Sequence, residues 1–135
     1  MANLIYPKAK EAFLSGSINL SSDTIKCQLI DTNDYTYSST DDYLADVAAA
    51  ARVGTAVTLA SKTVTDGVFD AADITFSTVT GDVSEALLIY KDSGSEASSN
   101  LIALLDTAQS GLPVTPNGGD IDVTWDNGAS KIFAL

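Results

Sequence analysis

Histidine is absent from this chain of 135 residues. Its absence removes the general base of Ser-His-Asp and Cys-His nucleophile pairs and the commonest nitrogen ligand of zinc. Neither Gly-x-x-x-x-Gly-Lys-Ser/Thr nor Gly-x-Gly-x-x-Gly occurs, so no loop is signalled that would cradle a phosphate or a dinucleotide. The chemistry left to consider is that of carboxylates, one thiol and a group of tyrosines. Asp120 and Asp122 alternate onto one face of the stretch DIDVTWD (120–126), and a carboxylate pair can split a glycosidic bond when burial drives the two pKa values apart. The same alternation assigns them to the solvated face of a strand, where polar residues belong. A carboxylate-based glycan-acting enzyme is therefore the weaker reading, and no catalytic residue is assigned.

Hard oxygen ligands also crowd residues 31–46, where Asn33, Asp34, Asp41 and Asp42 stand between Asp31 and Asp46. The run Asp31-Thr32-Asn33-Asp34-Tyr35 opens like an EF-hand loop. It then fails, because Tyr35 takes the fifth position, no glycine follows, and Asp42 stands where a bidentate Glu is required. Neither a metal nor a cofactor is expected. Tyr35, Tyr37 and Tyr43 share this segment, and tyrosine is a favoured interface anchor; the residues alone leave open whether they meet a partner or lid the core. Cys27 lies in DTIKCQLID (23–31), where Ile25, Cys27 and Leu29 alternate onto one face, the pattern of a buried small hydrophobe rather than a reactive thiol. A lone cysteine also excludes an intramolecular disulfide framework.

The positions above need elements to hold them, and composition sets the kind. Apolar residues make up 45% of the chain and charged residues 19%, a balance that folds, and the length suits one domain. The 18 Asp and Glu against 7 Lys and Arg give a net charge of −11. Such a surface repels phosphate backbones and anionic lipid, so nucleic acid and membrane are excluded as partners. No stretch reaches the ~18 apolar residues of a membrane helix, and the start, MANLIY, lacks the regions of a signal peptide. The expectation is a soluble protein made in a cytoplasm.

Punctuation at Pro7 and Gly16, with Ala9, Ala12 and Phe13 on one face, predicts a helix over 7–15. Thr40 as a cap, followed by Asp41 and Asp42, predicts one or two further helical turns within 40–51. The rest reads as strand and turn. Two-faced strands are expected at 23–31, 52–59, 62–64 and 73–79, and more uniformly apolar, central ones at 83–91 and 101–106. Ile121, Val123 and Trp125 form the core face of 120–126. Asn127-Gly128 then predicts a hairpin into KIFAL (131–135), since both residues tolerate positive φ. Turn signals at Gly81-Asp82, Ser93-Gly94 and Asn117-Gly118-Gly119 complete the rhythm of a sandwich. The fold expected is mainly β: an antiparallel β-sandwich, jelly-roll-like, with a short N-terminal helix. It forms one domain over 1–135, with 1–16 as arm and helix and 23–135 as the sandwich.

The segments DTIKCQLIDTNDY, ARVGTAVTLASKTVTDGVFDAADITF, EALLIYKDSGS and GLPVTPNGGDIDVTWDNGASKIFAL resemble small virion proteins of tailed bacteriophages, along nearly the whole chain. The resemblance implies a capsid decoration, or cement, protein. Such a protein sits as a dimer or trimer on the exterior of the virion's capsid, bound to the major capsid protein, after assembly in the host cytoplasm. Tail, neck and fibre components are the alternative, and no catalytic residues come with the resemblance. In an acidic chain the contact is expected to rest on apolar and aromatic anchors: Leu4, Ile5 and Tyr6 from the N-terminal segment, with Tyr35, Tyr37 and Tyr43.

Overall fold

Pro7 begins helix α1 (Pro7–Leu14), at a position whose N–H would have had no intrahelical partner. Gly16 ends it at φ +81. The Ser17 amide reaches back to the Ala12 carbonyl at 2.8 Å and the Gly16 amide to Phe13 at 3.2 Å, the paired bonds of a Schellman stop that only a left-handed residue allows. Ala9 and Ala12 are buried, and the helix packs against the strand Leu101–Leu105.

The computed structural model describes residues 4–106, 112–125, 127–129 and 131–135. Their strands are β1 (Leu4–Ile5), β2 (Ile25–Ile30), β3 (Arg52–Thr58), β4 (Thr63–Thr65), β5 (Val68–Asp70), β6 (Ile74–Phe76), β7 (Ala86–Lys91), β8 (Leu101–Leu105), β9 (Ile121–Val123) and β10 (Phe133–Ala134). All pairings are antiparallel, and they form a five-stranded sheet in the order β1-β8-β7-β2-β3, a three-stranded sheet β10-β5-β4 and the pair β6-β9. The chain is thus mainly β, with antiparallel sheets and one α-helix among the described residues. None of these helices is long and apolar enough to cross a membrane.

The middle of the large sheet follows from its sequence. Ile25, Cys27 and Leu29 lie opposite Lys91, Ile89 and Leu87 on one face, while Lys26, Gln28 and Ile30 lie opposite Tyr90, Leu88 and Ala86 on the other. Apart from the two lysines, all of these residues are buried, so the apolar runs of β7 and β8 are those of strands covered on both sides. Each fully buried Leu or Ile contributes about 1.5–3 kcal/mol of transfer free energy. The exception in kind, Gln28, is buried for a reason. Pairing between β2 and β3 slips between Cys27 and Leu29, and the Gln28 Nε2 donates to the Val53 and Gly54 carbonyls at 2.7 and 3.2 Å, which satisfies the buried amide. Gly54 sits in that bulge at φ +69, where an added Cβ would stand 3.3 Å from Val79.

Three expectations change. Asn127-Gly128 does not close a hairpin: β9 pairs with β6 and β10 with β5. Trp125 fixes that separation, its amide donating to Asp73 Oδ1 at 2.9 Å and its Nε1 to the Ala72 carbonyl at 3.0 Å. Phe133 meanwhile packs on Phe69 with ring centroids 5.3 Å apart. Long-range pairing overrides the local turn preference, and the chain ends on an outer strand. A tight Asp-Gly hairpin does occur, at Asp66-Gly67 (φ +53 and +78) between β4 and β5; these are the two positive φ values of a type I′ turn. Residues 40–51 form two 3₁₀ turns, Leu44–Asp46 and Ala49–Ala51, and the first is capped by Asp46 rather than Thr40. Finally, Leu4–Ile5 is no separate arm; it pairs with Leu104 and Ala103 as the outer strand of the large sheet. Asp126, assigned to the strand 120–126, lies outside the described residues.

Candidate functional site

The three N-terminal and three loop residues expected to make contacts divide into inside and outside. Tyr6 is fully buried and Tyr35 is 6% exposed. The Tyr35 hydroxyl donates to Asp41 Oδ2 at 2.6 Å, so its own oxygen receives the Tyr6 hydroxyl proton at 2.8 Å. Asp41 also accepts the Ser38 amide at 3.1 Å, and the Tyr37 ring lies 5.2 Å from that of Tyr6. Burial, followed for Tyr35 by the hydrogen bond to Asp41, pushes both hydroxyls far above the ordinary tyrosine range. This chain of groups ties the 31–43 segment to the start of α1. Tyr6 and Tyr35 are therefore corrected from surface anchors to core, because their rings offer a partner almost no area. Leu4, Ile5 and Tyr37 are half-buried, and Tyr43 is 37% exposed.

Tyr43 stands at a cleft. A depression of about 150 Å³ opens between α1 and the strand entry at residue 100, lined by Lys8, Glu11, Ala12, Ser15, Ser17, Asp42, Tyr43 and Asn100. Four of these, Lys8, Glu11, Ala12 and Ser15, recur at the spacing of one helical stripe. The opposite wall is fixed by backbone bonds. Asp46 Oδ2 accepts the amides of Asp42 and Tyr43 at 2.8 and 3.0 Å, Leu101 N donates to the Asp42 carbonyl at 2.9 Å, and Tyr43 bridges to Asn100. Those two amides, Asp42 first, hold the Asp46 carboxyl below its ordinary value. In the sequence only the Ala9, Ala12 and Phe13 face of this helix was singled out; the spacing of Lys8, Glu11 and Ser15 was a signal that could have found the stripe, whereas the meeting of Asp42 and Asn100 depends on tertiary structure.

The other candidates are also placed. Asp120 and Asp122 are exposed, as their alternation predicted, and each has a local partner: the Thr78 amide at 2.9 Å and the Thr75 hydroxyl at 2.6 Å. Cys27 is fully buried, and burial pushes its thiol upward, away from thiolate chemistry. Carboxylate oxygens of Asp31, Asp34 and Asp82 lie within 4.8 Å of one another. Asp31 is buried and accepts the Asn33 amide at 2.9 Å, while the other two are exposed. Asp82 comes from a distant turn, so a reading of 31–46 alone could not have found this grouping, and an acidic cluster by itself specifies no ligand. No protein-family model matches the chain, and no curated protein matches it either.

Proposed function

We propose that this chain is a decoration (cement) protein of a tailed-bacteriophage capsid, a jelly-roll-like sandwich that binds the outside of the major capsid protein lattice as a dimer or trimer. The observation that carries the reading beyond its sequence resemblance is the position of β1. Leu4–Ile5 forms the outer strand of the five-stranded sheet and is only half-buried. An outer strand offers backbone N–H and C=O groups to a strand of a neighbouring protein, and alternate side chains read the fit. In this role Leu4, Ile5 and Tyr43 are contact residues, with Tyr6 and Tyr35 holding them from inside. Leu14, 91% exposed, and Leu135, 65% exposed, supply further apolar area for self-association.

A domain that lies across the joints of a shell binds the assembled lattice more tightly than free subunits, and by linkage it stabilises that lattice. The test compares heads assembled with and without the protein, reading the temperature at which DNA is released. Complete heads should release it at higher temperature, and deleting residues 1–5, which spares Tyr6, should remove the difference. Equal heat resistance with and without the protein would move the assignment to a tail or neck component.

A further inference from the structure

We infer that the cleft between α1 and Tyr43 is a receptor for a guanidinium group, an arginine side chain presented by a partner protein. Its walls bring two carboxylates, Glu11 and Asp42, together with one tyrosine ring and the carboxamide of Asn100. Lys8 is the one cation in the lining and is paired with Glu11 at 3.6 Å, so the cleft keeps a negative balance. Several carboxylates elsewhere are used internally: Asp23, Asp31, Asp41, Asp46, Asp73, Asp92 and Glu85 each accept a backbone amide. Among the described residues, the side chains of Asp42, Tyr43 and Asn100 make no such bond within the chain, and all three line the same cleft.

The chemistry of these groups selects the ligand. A planar fork of five N–H donors matches carboxylate and carboxamide oxygens, and its face stacks on a tyrosine ring. An ammonium would satisfy the charge but not the plane. The wall carrying Asp42 and Tyr43 is set in advance by Asp46 and by the bridge to Asn100, so little ordering entropy opposes binding. Arginine is also among the residues enriched at interface cores, and a surface of −11 draws cationic partners toward it. The inference does not depend on the partner's being a capsid.

The test titrates the isotopically labelled full chain with N-acetyl-argininamide, using N-acetyl-lysinamide and a methyl glucoside as comparison probes, and follows backbone amide shifts. Arginine should move the amides of Tyr43, Asn100 and Ser17, more strongly than lysine and with no effect of the glucoside. Asp42→Asn should weaken binding about tenfold, the loss of one charge-assisted bond, and Tyr43→Ala should weaken it while Tyr43→Phe retains it; dispersed spectra of the variants report that they fold. Absent shifts, shifts elsewhere on the surface, indifference to Asp42→Asn, or a stronger response to the glucoside would each overturn the inference. Heat resistance of heads is a separate reading, so failure of one proposal is distinguishable from failure of the other.

Discussion

Strands β2, β7 and β8 bury both faces, whereas the 31–46 segment and the β6-β9 pair are held by a few large anchors and by polar pins. In the first region, Leu87, Leu88, Ile89, Leu101 and Ile102 are all fully buried, and no single contact decides the packing. In the second, Trp125, the Tyr6-Tyr35-Asp41 chain and carboxylates that accept loop amides each hold a segment of their own. The difference explains why an acidic chain folds without an equal number of cations. Many of its carboxylates are satisfied by N–H groups that turns leave unpaired, and a charged acceptor makes the stronger bond.

The largest test of this contrast is Trp125→Ala. It removes a buried ring together with the Nε1 bond to Ala72, and should cost about 3–5 kcal/mol, read as a fall in the urea midpoint. Leu88→Ala in the central sheet should cost about 2–5 kcal/mol. A Trp125→Ala chain close to wild-type stability would mean that β6-β9 is not held by its anchor. Next in size is Tyr35→Phe. It keeps the ring but leaves the Tyr6 hydroxyl and Asp41 short of a partner, at about 1–3 kcal/mol. Faster amide exchange should be confined to residues 31–43, and an effect spread evenly over the fold would blur the distinction between centre and rim.

The same contrast sets how much the sequence revealed. Helix α1 was legible because Pro7 and Gly16 act through neighbours only, and β2, β7 and β8 because burial writes itself into long apolar runs. The strict alternation of Ile121, Val123 and Trp125 correctly gave the buried face. It could not give the strand's partner, since Asn127-Gly128 is a local preference and the pairing of β9 with β6 is not. Strand β5, three residues between Gly67 and Ala71, escaped because such a run has too little pattern; the Asp66-Gly67 turn was the signal that could have found it. For the site, Tyr43 is 37% exposed. Tyr6 looked identical in composition, and only its pairing with Tyr35, 29 residues away, puts it inside. Asp42 and Asn100 meet through the sheet, which no spacing along the chain encodes.

The smallest expected effect concerns acid. Asp46 is held below its ordinary value of 3.8 by the amides of Asp42 and Tyr43, and Asp92 by the amide of Gly94 and then by Lys26, 3.2 Å away. A carboxyl with a depressed folded value contributes its stability in full above its unfolded value, near 4, and loses it as pH falls through that value and the lower folded one. Both groups are largely solvent-facing, so screening keeps their contribution small, and the strands β2, β7 and β8 contain no Asp, Glu or His. Between pH 6 and 3, therefore, amide protection, taken relative to intrinsic exchange at each pH, should fall first at residues 42–46 and 92–94, before β2, β7 or β8 loosens. Asp46→Asn should abolish the pH response at 42–46 and leave that at 92–94 intact. If the central strands and these loops instead lose protection together at one pH, the carboxylate pins are not local devices, and the division between an apolar centre and a polar rim does not describe how this chain opens.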